Sequence, residues 1–190
     1  MNERFTPLTR EQLDIKQAAL YDSLATSAAG KQDFSLVDSK GALVGPFGLM
    51  LLDPELGVAI QNLGAVFNSG SPLTHRTREI AILRVATLEA SDFEWYAHEP
   101  IARAIGLNDV EIAAIRAGTF AVQNAEEQAA FDLMGTFLGD GILSDAEFAR
   151  LQDAVGARAL YALIGLAGYY RMIAQSMRAF GVGVPDPVAG

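Results

Sequence analysis

Two glutamates and a histidine lie within otherwise apolar helical sequence, and they are the residues of this chain best suited to chemistry. Glu94 and His98 are four positions apart and so share one face of a helix, while Glu79 precedes them among Ile, Leu, Val and Ala residues. Burying a charged side chain is costly unless it is paired or used. The chain has only 2 histidines and no cysteine, so this trio supplies most of its acid/base chemistry near neutral pH. We therefore take Glu79, Glu94 and His98 as the candidate catalytic residues.

Each member of this trio also has a structural interpretation. Glu79 can be held by an ion pair with one of the neighbouring arginines, since structural networks also bury carboxylates. Without a cation or hydrogen-bond donors, burial would raise the pKa of its carboxyl group. Glu94 follows Ser91 by three residues, which is the spacing of a capping box at a helix start. A histidine such as His98 is, taken alone, more typical of a satisfied core position than of a catalyst.

Further residues near the trio are candidates for binding a substrate. Arginines can pair with a substrate carboxylate, and aromatic side chains can line a pocket, although aromatic residues more often belong to a core or a subunit interface. We expect no cofactor and no metal: one histidine with two carboxylates is a conceivable metal site, but the Glu-x-x-His spacing of di-iron bundles is absent. The substrate-binding candidates are Arg78, Arg84, Arg76, Trp95 and Phe47.

The composition limits the partners of the chain. Its 190 residues carry a formal net charge of −9 and no basic stripe, so we expect no nucleic-acid partner. Hydrophobic residues make up 51% and charged residues 19%, an apolar balance that we attribute to helix surface buried between subunits of a homo-oligomer. No apolar run is long and charge-free enough to span a bilayer, and the first residues lack the pattern of a signal peptide. We expect a cytoplasmic location and no membrane partner.

The elements that must position the trio are helices. Capping residues and glycine or proline breaks recur along the chain, whereas strand alternation is almost absent. We expect an ordered loop over about residues 30–48, with a Gly45-Pro46-Phe47 turn, and a flexible tail over 181–190. The chain is otherwise predicted to be a single all-α domain, residues 1–190, of about eight helices near 9–27, 53–68, 74–89, 91–105, 108–117, 125–138, 144–155 and 158–180.

The stretch from Arg78 to His98 resembles the carboxymuconolactone decarboxylase family, which shares its fold with the alkylhydroperoxidase D-like proteins. The resemblance continues through Ile101-Ala-Arg and Gly106-Leu and covers about residues 45–118 best. The last helix, with Gly168-Tyr-Tyr170, is similar to a longer subgroup of uncharacterised members. The resemblance implies a helical bundle of the alkylhydroperoxidase D-like type, assembled as a dimer, trimer or hexamer.

The peroxidase branch of this family uses a glutamate, two cysteines and a histidine at fixed spacing. In this chain Glu79 and His98 hold the glutamate and histidine positions, but the two cysteine positions fall on Ser91 and Glu94. Serine and glutamate cannot form the disulfide that the peroxidase chemistry needs. The resemblance therefore implies the fold and a proton relay, without thiol peroxidase activity.

The decarboxylase branch is the better match, because it resembles this chain in having a glutamate four residues before the histidine. It implies a cofactor-independent decarboxylase that acts on a small carboxylated lactone or unsaturated acid in aromatic compound catabolism. His98 would then exchange the proton, Glu94 would orient His98 and set its tautomer, and Glu79 would complete the relay or hold an arginine. Two alternatives stay open: a non-catalytic ligand-binding or scaffold oligomer of the same fold, and a hydrolase that uses water.

Overall fold

The computed structural model of the chain describes residues 4–26, 36–122, 124–139 and 141–185. These residues form eight α-helices and no β-strand, with two isolated bridges only, so the predicted all-α fold class is confirmed. None of the described helices combines the length and the apolar character needed to cross a membrane. The helices are α1 (Ile15–Thr26), α2 (Pro46–Met50), α3 (Pro54–Ser69), α4 (His75–Leu88), α5 (Asp92–Ala104), α6 (Asp109–Ala117), α7 (Ala125–Gly139) and α8 (Asp145–Phe180).

The chain divides into two compact units, Met1–Ala65 with Gln175–Gly190 and Val66–Ala174. In the first unit, buried side chains of Leu24 and Leu43 belong to a small core, against which Phe47 packs. The expectation of a single domain over residues 1–190 stays a prediction. All three members of the trio lie in the second unit.

Helix α4 is the central helix of the second unit. Nine of its 14 residues are buried, and its apolar side chains enter two separate clusters. Ile82 lies in a cluster with residues of α7 and α8, and Leu83 lies in a cluster with residues of α5, α6 and α7. Because the side chains of α4 are enclosed from both sides, its polar residues must find partners inside the protein.

Most of the predicted helix starts are present, and the first one is displaced. At the start of α4, the Thr74 side chain accepts a hydrogen bond from the Thr77 N–H group, as a capping residue should. The pattern at Thr9 closes only a 3₁₀ turn, Arg10–Gln12. The first α-helix begins later, where the Asp14 N–H group donates to Gln17 Oε1 at 3.0 Å and the Gln17 N–H group donates to Asp14 Oδ1 at 2.9 Å. The reciprocal pair at Asp14 thus caps α1.

Two other predicted boundaries are wrong. The turn expected at Gly45-Pro46-Phe47 is the start of the short helix α2, because the fixed φ of Pro46 suits the first turn of a helix. The two predicted C-terminal helices are one element, α8, which breaks at Gly156 with φ 76° and ψ 158°. Part of the predicted loop, residues 27–35, and residues 186–190 of the predicted flexible tail lie outside the described residues.

Candidate active site

A tight turn between α4 and α5 places the trio. Ala90 has a positive φ of 51°, and the Ser91 N–H group donates to the carbonyl oxygen of Ala86 at 2.9 Å. Ser91 then caps α5, since its Oγ accepts a hydrogen bond from the Glu94 N–H group at 3.4 Å. The chain therefore reverses between the two helices, and the Glu94 and His98 face of α5 meets the helix that carries Glu79.

Glu79 is an ionised carboxylate with both oxygens in use. Its Oε2 lies 2.8 Å from His98 Nδ1, its Oε1 accepts a hydrogen bond from Arg78 Nε at 3.2 Å, and its side chain is 1% exposed. Burial opposes ionisation, but the nearby His98 and Arg78 hold the pKa of Glu79 below its usual value. Because this carboxylate can only accept, His98 donates its Nδ1–H to Glu79.

His98 presents its other nitrogen, Nε2, to Glu94. Nε2 lies 3.6 Å from Glu94 Oε2, which is beyond hydrogen-bond length, and the ring packs edge-on against Tyr170 with the centroids 5.2 Å apart. Burial disfavours the imidazolium, but the Glu79 carboxylate outweighs it and raises the pKa of His98. The expected roles are therefore exchanged: Glu79 fixes the tautomer of His98, and Glu94 faces the nitrogen that is left for proton exchange.

Glu94 does not close a capping box with Ser91. Only its backbone N–H group bonds Ser91, while its carboxyl group is turned toward His98 and makes no hydrogen bond to another described residue. Burial raises the pKa of Glu94 to about 7, with His98 opposing the shift and Glu79 adding to it. A carboxyl group with this pKa exchanges a proton near neutrality, as a general acid or base must. Among the described residues, no group of three or more His, Asp or Glu side chains could hold a metal ion.

Tyr169 and Tyr170 of α8 complete the surroundings of the trio, although the sequence analysis did not include either as a site residue. Their rings pack edge-on against each other, and Tyr170 also contacts His98. Burial, followed by the charge of Glu94, raises the pKa of Tyr169 to about 12 and that of Tyr170 well above its ordinary value. Both phenols stay protonated at physiological pH. The adjacent pair in Gly168-Tyr-Tyr170 is the sequence signal that marks them.

Arg78 is the one predicted substrate-binding arginine that contacts the trio in the described part of the chain. Besides Glu79, it donates through Nη1 to the carbonyl oxygens of Phe67 at 3.2 Å and Asn68 at 3.5 Å. These carbonyls belong to the last turn of α3, where the helix dipole favours a cation. Arg78 is thus held between a carboxylate and a helix C-terminus, and this pairing allows it to be buried.

Arg76 and Arg84 lie elsewhere on α4. Arg76 bonds Glu127 through Nε at 2.9 Å and also pairs with Glu111. The guanidinium of Arg84 lies 4.7 Å from the centroid of the Phe131 ring, and its buried Nε has no hydrogen-bond partner in the described residues. Burial lowers the pKa of Arg84. No contact between these two arginines and the trio is present among the described residues.

The two aromatic candidates are also separate from the trio. Trp95 lies on another side of α5, with the guanidinium of Arg116 3.7 Å from the centroid of its ring. These two residues line a surface cleft of about 430 Å³. Phe47 lies in the first unit and packs against the core of that unit.

Comparison with known proteins matches this chain to one family and to two solved folds. Residues 54–135 match the carboxymuconolactone decarboxylase family. One similar structure is an uncharacterised peroxidase-related protein from Ralstonia eutropha JMP134, an alkylhydroperoxidase AhpD core, with a TM-score of 0.74, 12% identity, and coverage of 96% of this chain and 92% of that chain. Another is a protein of unknown function from Agrobacterium tumefaciens, assigned to antioxidant defence as AhpD, with a TM-score of 0.63, 17% identity, and coverage of 73% and 97%. No curated protein has a significant sequence match.

These matches confirm the resemblance and the fold. The fold is alkylhydroperoxidase D-like, and the matched segment contains Glu79, Glu94 and His98. Identities of 12% and 17% concern the fold alone. The chemistry of this chain must therefore be argued from its own residues.

Proposed function

We propose that this member of the carboxymuconolactone decarboxylase family is a cofactor-independent decarboxylase of a small carboxylated lactone or related unsaturated acid. The observation that carries the proposal is a row of three buried groups. The Glu79 carboxylate lies 2.8 Å from one nitrogen of His98, and the Glu94 carboxyl lies 3.6 Å from the other. Such a row can hold an imidazole in one tautomer and exchange a proton at its far end.

The proposed reaction needs one proton for each molecule of carbon dioxide released. The bond between the substrate and its carboxylate carbon breaks, carbon dioxide leaves, and the electron pair moves into the conjugated carbonyl of the lactone. His98 Nε2–H then delivers a proton to the resulting carbanion. Glu94, whose pKa is about 7, returns a proton to Nε2, and solvent restores Glu94. Glu79 holds Nδ1–H throughout, so the same nitrogen faces the substrate in each turnover.

Arg78 is the arginine that we assign to substrate binding. Its Nε and Nη1 are used by Glu79 and by the backbone of α3, whereas its Nη2 has no hydrogen bond to another described residue. A carboxylate that the substrate keeps through the reaction can pair with this nitrogen. Thiol peroxidase chemistry is not available to these residues, because Ser91 and Glu94 occupy the cysteine positions and the chain contains no cysteine.

The test is turnover of γ-carboxymuconolactone and related unsaturated lactone acids by the wild type, His98→Ala and His75→Ala. We expect the wild type to release one carbon dioxide per substrate and His98→Ala to be slower by about 10²–10⁴-fold, which is the usual contribution of a general acid or base. His75, the only other histidine of the chain, provides the matched control and should be dispensable. Equal rates for His98→Ala and the wild type, or no turnover of any of these acids, would contradict the proposal.

The main alternative is a non-catalytic ligand-binding or scaffold protein. It is favoured by the way in which Arg78, Glu79 and His98 satisfy one another, since a purely structural network would look the same. Under this alternative, a lactone acid binds without being changed. A hydrolase would instead give a ring-opened acid without release of carbon dioxide, so product analysis separates all three functions.

The proposal also includes a cellular setting. We place the activity in the catabolism of aromatic compounds, in the cytoplasm, with a small-molecule substrate and neither nucleic acid nor membrane as partner. The acidic composition, with a net charge of −9, supports the first of these exclusions, because phosphate backbones are bound by basic surfaces. We further propose a homo-oligomer, and the surface that would form it is the subject of the next subsection.

A further inference from the structure

Helix α3 exposes a stripe of apolar side chains. Leu52 lies just before the helix, and Leu56, Ala59 and Leu63 lie within it, at successive spacings of four, three and four residues. The leucines are 55%, 56% and 45% exposed, in chain order, and Ala59 is also exposed. We refer to these four residues as the α3 seam.

The spacing of the α3 seam is that of the a and d positions of a heptad. Alternating steps of four and three residues average 3.5 residues per turn, so the side chains form one narrow stripe that can pack against a second helix. The spacing continues to Val66, which is 55% exposed. An exposed apolar patch of about 300–600 Å² on a monomer usually marks a binding surface. The regular spacing indicates that the occupant is itself a helix.

We propose that the α3 seam packs against the α3 seam of a second copy of this chain. A two-fold symmetric interface places the same patch on both subunits, and a seam of a and d residues is complementary to itself. The seam carries no charge, so the net charge of −9 on each copy is not concentrated where the copies meet. This inference concerns assembly and does not depend on the proposed decarboxylase activity.

A membrane surface is a poor match for the same stripe. Helices that lie on membranes carry lysine and arginine on their polar face. Helix α3 has no basic residue, and Glu55 is its only charged residue. An electrostatically recognised protein partner is equally poorly matched, because the seam offers no charged group to select it.

The first test is the mass of the protein in solution. We expect the wild type, a 20.2 kDa chain, to sediment as a dimer or larger at micromolar concentration, and Leu63→Asp to shift to the monomer with at least a 100-fold weaker dissociation constant. Val110→Asp is the matched control, because Val110 is 79% exposed and lies on α6. A monomeric wild type, or a Leu63→Asp variant that keeps the wild-type mass, would overturn the proposal.

A second test covers the case in which Leu63→Asp fails to fold. The chain contains no cysteine, so a single introduced thiol reports on its own surroundings. Ala59→Cys should give a covalent dimer rapidly with a short bis-maleimide, whereas Tyr161→Cys, at an 80% exposed position of α8, should react mainly as a monomer. Equal cross-linking of the two variants would show that Ala59 is not at an interface between copies.

Discussion

Helices α3 and α4 follow each other in the chain but are built in opposite ways. Helix α3 has one charged residue, Glu55, yet it exposes Leu56 and Leu63. Helix α4 contains three arginines and a glutamate, yet nine of its 14 residues are buried, with Arg78 and Glu79 among them. In each helix the residues stand where their polarity is unfavourable unless another group compensates. Exposed leucines indicate a missing partner, whereas buried charges indicate partners that are already present and that can do chemistry.

The two helices also differ in how strongly a glutamate is needed, and this gives the largest expected effect. Replacing Glu79 of α4 by alanine leaves Arg78 and His98 buried without their counter-charge, which should cost about 3–5 kcal/mol of the free energy of unfolding. Replacing Glu55 of α3 removes an exposed ion pair with Lys16, in which both side chains are more than 70% exposed, and should cost less than about 1 kcal/mol. Urea unfolding of both variants measures the difference. Similar losses would mean that the Glu79 pairs contribute no more than surface pairs do.

A leucine on each helix gives the next comparison. Leu83 of α4 is 0% exposed, so Leu83→Ala should cost about 2–5 kcal/mol, the range for a cavity in a core. Leu63→Ala, at a 45% exposed position, should have little effect in dilute solution. If the α3 seam binds a second copy, the Leu63→Ala variant should lose melting temperature relative to the wild type only at high protein concentration, because association stabilises the folded state by mass action. Thermal unfolding over a hundredfold concentration range measures this, and a difference independent of concentration would contradict it.

The sequence specified the site in part. The spacing of Glu94 and His98 and the family pattern brought the correct three residues together, because helical periodicity is a local property. The roles of the two glutamates were exchanged, since the distance from Glu79 to each nitrogen of His98 depends on how α4 and α5 pack. Tyr170 was missed for the same reason: its contact with His98 is made by α8, which lies far along the chain.

The fold shows the same division between local and tertiary information. Capping patterns located most helix starts, and Gly156 marked the break in α8. The exposure of α3 was beyond such reasoning, because an apolar helix that faces a core and one that faces a second copy have the same pattern. The excess of hydrophobic residues was attributed to subunit contacts, but composition does not say which helix provides them. That assignment required the exposed fractions of Leu56 and Leu63.

Glu94 gives the smallest expected effect, and it tests whether a buried carboxyl group facing α4 destabilises the fold at neutral pH. Its pKa is about 7 in the folded protein and 4.5 as an ordinary glutamate, so the unfolded chain loses this proton first as the pH rises. The wild type should therefore lose stability between about pH 4.5 and 7, and the difference between 4.5 and about 7 corresponds to up to roughly 3 kcal/mol. Glu94→Gln keeps the shape and removes the titration.

The raised pKa of His98 has the same sign but belongs to a different residue, so both proteins retain it. The stability that it contributes is present below the ordinary pKa of histidine, about 6.5, and is lost as the pH rises through the pKa of the folded protein. Subtracting the urea-unfolding free energies of the wild type from those of Glu94→Gln at each pH largely removes this shared part. The difference should rise in favour of Glu94→Gln from pH 4 to pH 8. A profile parallel to that of the control Glu55→Gln, on the exposed side of α3, would mean that the Glu94 carboxyl group is solvated, and a solvated Glu94 could not serve as the proton reservoir beside His98.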